Sequence, residues 1–546
     1  MSPSSPIVTS STTVTANDAP PVTPMSRVVL AASTGTIFEY YDFMLYGTLA
    51  TFFGALFFPA GNDTAALLAS LATFGVGFAM RPLGALVFGR LGDRVGRKRT
   101  FLITIVLMGA STAVVGILPT FESIGWWAPA LLVSLRMIQG LALGGEFGGA
   151  AVYIAEHASK ERRGYFTSWI QTTATLGLVL SLLVILACRA LLGEQAFHAW
   201  GWRIPFLLSV VLLGLSVYIR LKLQESPLFA ELKRNGQLSR SPIAESLFQR
   251  ENARRMLAAI VVAAAMAISW YTAQFYSMVF LQTALLIDTG TTSVVIVVAL
   301  LLGVPIYAAA GALSDRIGRR PVMLAGMLLS ALAVIPVYSS LLAVGSPDLA
   351  VAQQRAPVTV HAAATRFDPF ADPAKLDDAT RARDFLAKRG ISYTNEAALG
   401  SAPLTIELAG QRLEGFDREA LAAALAAAGY PGTAATPPLT SLAGLNTTHL
   451  QLIALILAMI VGAGLTCGPG AAWLAEIFPT RIRYTALSVP YHLTSAWFGG
   501  FMPLTATWVV ARTGDVLSGL WYPLAVMGSC FLLSLFLMKE SRGSDL

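Results

Sequence analysis

The sequence predicts an all-α membrane protein with twelve transmembrane helices in two six-helix repeats and a small extracytoplasmic α/β insertion between the ninth and tenth helices. Composition, charge placement and an internal repeat support this prediction. The chain has 546 residues, of which 55% are hydrophobic and 13% are charged. Soluble proteins have about 25% charged residues. Most of this chain must therefore lie in lipid, where a spanning helix needs about 20 apolar residues.

Twelve apolar runs of spanning length divide the chain. Before the first run, residues 1–26 are rich in Ser, Thr and Pro and predict a disordered tail. This tail has no basic segment leading to a short apolar core and cleavage site, so we interpret the first run as a membrane helix and not as a signal peptide. The runs fall at about 27–58, 64–90, 99–119, 127–157, 163–192, 203–222, 254–286, 291–313, 320–344, 449–476, 482–511 and 516–538.

Basic residues are confined to alternate loops. They cluster at 90–99, 160–163, 316–320 and 481–483 and in the segment after the sixth run, whereas the opposite short loops carry only Arg512. The positive-inside rule then predicts that both termini lie in the cytoplasm. It also explains the net charge of +7 better than nucleic-acid binding does. The three cysteines lie in apolar runs, so neither disulfides nor a metal cluster are predicted.

Two segments of the first half recur in the second half. Segment 89–99 matches 311–320 at an offset of 222 residues, and 148–156 matches 468–476 at an offset of 320. The larger second offset requires about 98 extra residues between the two matched places. The polar stretch from about Gly345 to Asn446 has about this length. The predicted domains are a bundle over 27–222, a cytoplasmic linker over 223–253, second-bundle helices over 254–344 and 448–540, and an insertion over 345–447.

The insertion has structural signals of its own. Short strands are predicted at 358–360 and 391–393, and a hairpin at 404–413 turns at Ala409 and Gly410. Helices are predicted at 373–389 and at 418–428, the second capped by Asp417. Two roles stay open for this segment: a passive exterior cap, or the capture of substrate or a partner.

The basic segment and its downstream copy resemble the signature of the major facilitator superfamily between its second and third helices. The resemblance implies alternating access and a cytoplasmic gate, in which Asp93 faces the positive end of a helix from the other half and the basic residues pair with acids. The alternative is that these charges only set topology. The predicted gate residues are Gly89, Asp93, Arg94, Gly96, Arg97, Lys98, Asp315, Arg316, Arg319, Glu156 and Glu476.

Further segments resemble the metabolite:proton symporters of that superfamily, which carry α-ketoglutarate, citrate, shikimate, or proline and betaine. The resemblance covers the chain except the N-terminal tail and the insertion. It implies proton-coupled import of a small organic acid, such as a di- or tricarboxylate, a keto acid or a shikimate-like metabolite. The matching segments are 35–47, 81–84, 136–140, 144–146, 225–227 and 475–483.

Charged residues inside membrane helices are costly and are functional by default. Glu39, Asp42 and Tyr46 follow one face of the first helix at i, i+3 and i+7. Burial favours the neutral form of a carboxyl group unless a cation lies close. We therefore predict Asp42 as the proton-coupling residue, with Glu39 second. A structural ion pair between helices is the alternative.

The fourth helix carries Arg136, Gln139 and Glu146 within one narrow stripe. Arg136 is expected either to hold a substrate carboxylate or to pair with Asp42, and competition between the two would couple proton and substrate. Glu146 is a further proton-coupling candidate.

Other substrate-binding candidates are polar or aromatic residues of the predicted helices. Tyr271 and Gln274 are expected to share a face at i, i+3. The full predicted set is Arg136, Gln139, Tyr46, Arg81, Gln171, Tyr271, Gln274 and Tyr491. For each aromatic or amide residue, ordinary packing or interfacial anchoring is the alternative.

No enzyme motif, nucleotide-binding loop or zinc spacing occurs in the sequence, so we expect neither catalysis nor a cofactor. The expected partners are a proton, a small organic anion and the bilayer, with the chain working as a monomer. The second hypothesis is a proton symporter of zwitterionic osmolytes. It ranks lower because the osmosensing carriers have a long C-terminal coiled coil, whereas this sequence ends at Leu546. Drug efflux and a receptor on a transporter scaffold rank below both.

Overall fold

The protein is described from a computed structural model. The described residues are 25–59, 63–95, 97–145, 147–221, 234–235, 241–362, 377–397, 404–431, 436–439 and 444–544. Residues 1–24 of the predicted tail and residues 223–233 and 236–240 of the predicted linker lie outside them.

The first half is a bundle of apolar helices. α1 packs against α9 and α11, α5 packs against α7 and α11, and α3 packs against α7. A π-helical turn, Phe197–Gly201, follows α10. The helices are α1 (Met25–Thr48), α2 (Ala50–Phe57), α3 (Asp63–Ala79), α4 (Arg81–Val95), α5 (Arg97–Ile117), α6 (Phe121–Ile124), α7 (Trp127–Leu143), α8 (Phe147–His157), α9 (Arg163–Leu192), α10 (Glu194–Ala196) and α11 (Arg203–Leu221).

The second half repeats this arrangement. α13 and α16 each pack against α20 and α24, and the halves meet where α9 packs on α15 and where α4 and α8 pack on α22. π-helical turns, Tyr271–Tyr276 and Ser495–Gly500, interrupt two spans. The helices are α12 (Pro242–Phe248), α13 (Arg250–Trp270), α14 (Ser277–Thr283), α15 (Thr289–Ile317), α16 (Arg319–Gly345), α17 (Pro347–Arg355), α18 (Asp378–Ala387), α19 (Arg418–Ala427), α20 (Thr447–Cys467), α21 (Gly470–Glu476), α22 (Arg483–Thr494), α23 (Met502–Thr513) and α24 (Trp521–Leu537).

Length and composition identify fewer spans than the twelve predicted. Within the described residues, eight helices are long and apolar enough to cross a membrane, or nine if the pair Glu194–Gly201 and Arg203–Ile219, bent by 62°, is one span. The predicted runs at 27–58, 99–119 and 482–511 are helical as well. These three are not among the helices that are long and apolar enough to span. The first carries the buried charged residues Glu39 and Asp42. The second forms only a short apolar helix, Leu102–Ile117, and the third is broken by a π-helical turn.

The basic segments 90–99 and 316–320 are largely helical over their described residues, which corrects their interpretation as loops, whereas those at 160–163 and 481–483 lie mainly in turns. α4 continues to Val95 and α5 begins at Arg97. In the second copy, α15 ends at Ile317 and α16 begins at Arg319, with Gly318 between them at φ +107°. Glycine adopts a positive φ without a steric penalty. One residue is therefore enough to turn the chain in the second copy.

The segment between α16 and α20 contains a four-stranded sheet. Its strands are β1 (Val358–Ala362), β2 (Tyr393–Ala397), β3 (Thr405–Leu408) and β4 (Gln411–Glu414), in the order β2-β1-β3-β4. β1 pairs parallel with β2 and antiparallel with β3, and β3 and β4 form an antiparallel hairpin. Buried and half-buried residues alternate along β1, as expected for a sheet with one packed face. Asp417 caps α19 by accepting hydrogen bonds from the N–H groups of Glu419 and Ala420, the role that the sequence predicts.

Candidate functional site

Two fully buried arginines lie near the centre of the bundle. Arg81 begins α4 and Arg136 lies on α7, and their side chains are 1% and 0% exposed. The guanidinium carbon of each is 4.3 Å from the ring centroid of Phe43. Among the described residues, Nε and Nη2 of both arginines have no hydrogen-bond partner. A buried cation with unused donors is costly unless an acceptor is supplied. Each arginine therefore has donors available for a further acceptor.

A small cavity of about 30 Å³ lies beside Arg81 at the contact between the two halves. It has room for one or two water molecules. Four predicted substrate residues line it: Arg81 and Gln171 from the first half, and Tyr271 and Tyr491 from the second. Gln171 Nε2 also has no hydrogen-bond partner within the described part of the chain. The remaining wall consists of Tyr40, Ala174, Met266, Ala267, Trp270, Cys467 and Ser495.

The other residues predicted on the fourth helix form a network behind this cavity. Arg136 Nη1 donates to Gln139 Oε1 at 2.6 Å, and Gln139 Nε2 donates to Thr112 Oγ1 at 2.9 Å. The Tyr46 ring centroid is 4.7 Å from the Arg136 guanidinium carbon. The Tyr46 hydroxyl is 3.1 Å from the carbonyl oxygen of Ser70, to which it donates. These contacts hold Arg136 in place, and none of the three predicted substrate residues Arg136, Gln139 and Tyr46 lines the cavity.

Gln274 does not share the cavity with Tyr271, which corrects the predicted pair. Its Nε2 donates to the Tyr307 hydroxyl at 2.6 Å, and its Oε1 accepts from Thr175 Oγ1 at 3.0 Å. The backbone is π-helical over Tyr271–Tyr276. The wider π-helical turn removes the i, i+3 alignment of an α-helix. Gln274 instead joins α9 of the first half to α15 of the second.

Asp42 and Glu39 are both buried on α1. Asp42 Oδ1 accepts a hydrogen bond from Ser209 Oγ on α11. Arg136 donates to Gln139 and to the carbonyl oxygen of Phe43, so the alternative pairing of Arg136 with Asp42 is not formed. Sequence reasoning missed Ser209, because a serine within an apolar run has no distinguishing local signal.

Buried ion pairs join the halves at one end of the bundle. Glu476 Oε1 lies 3.2 Å from Arg163 Nη1 and 3.1 Å from Arg319 Nη2. Glu156 Oε1 lies 3.4 Å from Arg483 Nη1. Both glutamates had been predicted here, whereas Arg163 and Arg483 had been interpreted only as topology charges. The glutamates are 320 residues apart and so are these two arginines. The internal repeat therefore supplied a signal for both.

Asp315 closes the same end against the start of α9. Its carboxylate oxygens accept from the backbone N–H groups of Gly164 and Tyr165, each at 2.8 Å, and Arg319 Nη1 donates to it at 2.6 Å. A carboxylate at a helix N-terminus is stabilised by the helix dipole. This is the contact predicted for Asp93, seen here for its second-half counterpart. Arg316 is exposed.

The first-half gate is only partly described. Gly96 and Glu146 lie outside the described residues. For the remaining first-half gate residues the helical backbone is described, but the environment of the residues is not. These residues are Gly89, Asp93, Arg94, Arg97 and Lys98.

A segment after α24 contacts these ion-paired residues, and the sequence analysis missed it. Ser541 Oγ donates to Glu476 Oε2 at 2.6 Å, and Arg163 Nη1 donates to the carbonyl oxygen of Ser544 at 3.1 Å. The Glu540 carboxylate accepts from the N–H groups of Arg319 and Arg320 at the start of α16. Burial raises the pKa of Glu540, but these and other backbone N–H donors outweigh it and hold the pKa below its ordinary value.

Aromatic packing also joins the two halves, away from the ion pairs. The rings of Phe74 on α3 and Phe275 stack at 4.7 Å between centroids. Thr51 Oγ1 donates to Gln282 Oε1 at 3.3 Å, which is a second contact between the halves.

Comparison with known proteins identifies the family. Residues 28–245 match the family model described as "Sugar (and other) transporter". The chain is 38% identical over 328 residues to the shikimate transporter of Escherichia coli K12, covering 58% of this chain and 72% of that protein. It is 30% identical over 531 residues to the inner membrane metabolite transport protein YhjE of the same organism, covering 96% and 97%. The chain belongs to the major facilitator superfamily.

The fold agrees with this membership. A solved structure of the major facilitator superfamily proton:xylose symporter XylE superimposes with a TM-score of 0.62 at 15% identity, covering 96% of this chain and 97% of that one. Other relatives in the superfamily include the α-ketoglutarate permease of E. coli K12 (35% identity, 58% of this chain, 72% of that protein) and its proline/betaine transporter (34%, 58% and 64%). The protein is a membrane metabolite transporter and not an enzyme.

Proposed function

We propose that the protein is a proton-coupled symporter that imports a small organic acid by alternating access. The observation that carries the proposal is the buried Arg81, which lines the central cavity and has two donor nitrogens without a partner among the described residues. Arg136 stands behind it with two more. Charge-assisted hydrogen bonds to a carboxylate would satisfy these donors. The names of the shikimate and α-ketoglutarate relatives agree with this substrate class.

The small volume of the cavity supports alternating access. A volume of about 30 Å³ is far too small for an open path through the bundle. A substrate would enter only when one end of the contact between the halves separates. The ion pairs of Glu476 and Glu156 would break in one open state, and the Phe74 to Phe275 contact in the other. The gate and substrate residues predicted from the sequence are part of this proposal.

For orientation, we propose twelve spans with both termini in the cytoplasm of a bacterial inner membrane. The basic residues at 316–320 and 481–483 support this side for the ion-paired end. The predicted domain boundaries are retained, with the segment 345–447 on the outside. Because one chain supplies both halves of the cavity, we expect a monomer to transport.

Asp42 is the proposed proton-coupling residue. It is buried, and its described hydrogen-bond partner is the hydroxyl of Ser209 rather than a cation. A carboxyl group in this setting is stable when neutral and costly when charged. It would take up a proton on one side of the membrane and release it on the other. Glu39 and Glu146 remain second candidates.

A zwitterionic osmolyte is the second candidate substrate, and one observation favours it. Four aromatic residues line the cavity: Tyr40, Trp270, Tyr271 and Tyr491. Aromatic faces attract quaternary ammonium groups. Arg81 on the same wall would repel such a cation while binding the carboxylate, so we rank the organic acid first.

Uptake into proteoliposomes under an imposed pH gradient tests both candidates. The panel comprises shikimate, α-ketoglutarate, citrate and betaine. We expect uptake of an organic acid that depends on the gradient, and Asp42→Asn should abolish accumulation. Uptake independent of the gradient would refute symport, and uptake of betaine alone would favour the osmolyte.

Arg81→Gln tests the substrate contact. Loss of a charged hydrogen-bond donor costs about 1.5–3 kcal/mol, so KM should rise about 10- to 100-fold. Arg255→Gln is the matched control, because Arg255 forms an exposed pair with Glu251. An unchanged KM in Arg81→Gln would remove Arg81 from the site.

A further inference from the structure

The insertion is fastened to the second half of the bundle. Tyr393 N at the start of β2 donates to the carbonyl oxygen of Gly514, which follows α23, at 2.9 Å. Val516 N donates to Ser392 Oγ at 3.3 Å, and Asn395 Nδ2 donates to the carbonyl oxygen of Arg512 at 3.2 Å. These bonds bring the β2 strand of the insertion against the connection between α23 and α24.

Two glycines show how closely the insertion sits on the second half. Gly514 has φ +85°, and a Cβ there would overlap the carbonyl oxygen of Tyr393. Gly390, just before β2, has φ +63°, and a Cβ there would overlap the carbonyl oxygen of Ala284 after α14. Both positions need glycine for backbone conformation and for space. The insertion and the second half are therefore fitted together over several backbone segments.

The insertion also reaches the first half. α18 packs against α3, the helix that carries Phe74. A cavity of about 180 Å³ lies beneath the insertion, and its walls come from the insertion and the second half apart from Leu67 of α3. The hydrogen bonds of Tyr393, Ser392 and Asn395 tie the insertion to the second half, whereas it meets the first half where α18 packs on α3. The described polar contacts thus fasten the insertion to the second half.

We propose that the insertion controls the outward opening of the pathway. It moves with the second half, and its α18 separates from α3 each time the pathway opens outward. The proposal rests on the alternating access proposed above. When the outer ends of two rigid halves part, an element fastened to one half must leave the other. The hydrogen-bonded contact with the second half would stay closed, and the packing of α18 on α3 would open. The insertion would therefore control outward opening and not only cover the exterior.

Cross-linking tests whether α18 must separate from α3 during transport. In a chain whose three native cysteines are replaced, Leu67→Cys with Ala387→Cys joins α3 to the insertion through a short bifunctional thiol reagent that a reductant cleaves. The matched control, Ser392→Cys with Val516→Cys, joins the insertion to the second half. Uptake into proteoliposomes is measured before cross-linking, after it, and after reduction.

We expect the first cross-link to lower uptake at least tenfold and reduction to restore it, while the control cross-link leaves uptake unchanged. Transport at the full rate with the first link in place would overturn the proposal, as would inhibition by the control link. Failure of the first pair to link where the control pair links would also overturn it. Failure of the proposed symport is distinct, because uptake would then be absent before any cross-linking.

A single substitution gives an independent measurement. Leu67→Ser removes an apolar contact at the α18 junction and leaves the bonds between Tyr393 and Gly514 in place. A cysteine at Thr283, which also lines the cavity, should then react several-fold faster with an externally added, membrane-impermeant maleimide. An unchanged labelling rate would contradict the proposal even if a cross-linked pair folds poorly.

Discussion

Replacing Glu476 with glutamine removes the charge that neutralises two buried arginines. Glu476 lies 3.2 Å from Arg163 and 3.1 Å from Arg319, and these three side chains are at most 4% exposed. Removing one partner of a buried ion pair costs about 3–5 kcal/mol. Because glutamine keeps one acceptor oxygen, we take the lower limit of about 3 kcal/mol. Under the proposed alternating access, this cost falls on the state in which the ion-paired end, proposed to be cytoplasmic, is closed.

A loss of about 3 kcal/mol shifts the equilibrium about 100-fold toward the cytoplasm-open state. Ser168→Cys reports on that state, because Ser168 is buried against Gly311 where α9 meets α15. In a background without the native cysteines, maleimide labelling of this site from the cytoplasmic side should be up to about 100-fold faster in Glu476→Gln, by the same shift.

Glu251→Gln is the matched control for this experiment. It removes the same charge from an exposed i, i+4 pair with Arg255. Such surface pairs contribute at most about 1 kcal/mol, so labelling should change less than about fivefold. Equal labelling rates in Glu476→Gln and Glu251→Gln would show that the Glu476 ion pairs do not hold the gate closed.

Three further predictions follow from single residues. Glu156→Gln breaks one contact of 3.4 Å to Arg483 and should speed the labelling of Ser168→Cys by only about tenfold. A shift as large as that of Glu476→Gln would contradict this prediction, because Glu476 pairs with two arginines and Glu156 with Arg483. Gln274→Leu leaves the buried hydroxyls of Thr175 and Tyr307 without this hydrogen-bond partner, so it should destabilise the protein by about 1–3 kcal/mol. The loss should appear as a lower Tm in detergent, and an unchanged Tm would refute the prediction. Because the folded-state pKa of Glu540 is lowered, its docking should be stable above the ordinary glutamate pKa and lost as pH falls through the lowered one. A fluorophore at Arg542→Cys should report that transition, and in Glu540→Gln the transition should be absent.

Hydropathy and charge placement predicted the helical runs and their orientation, and sequence motifs carried the family resemblance. These are properties of the chain itself, because a bilayer requires long apolar segments and orients the basic loops that join them. The offset between repeats located the added sequence without any knowledge of packing. Spacing along a helix brought Arg136 and Gln139 together correctly, since α7 keeps α-helical geometry there.

The partners of the charged residues were decided only by the tertiary structure. Glu476 and Arg163 are 313 residues apart, and Asp42 and Ser209 are 167 apart, so no local pattern joins them. The π-helical turn at Tyr271 separated two residues that an α-helical spacing had placed on one face. The segment containing Glu540 and Ser541 gained its role by lying against the start of α16. Local sequence sets which residues are buried and charged, whereas the packing of the halves decides which of them meet.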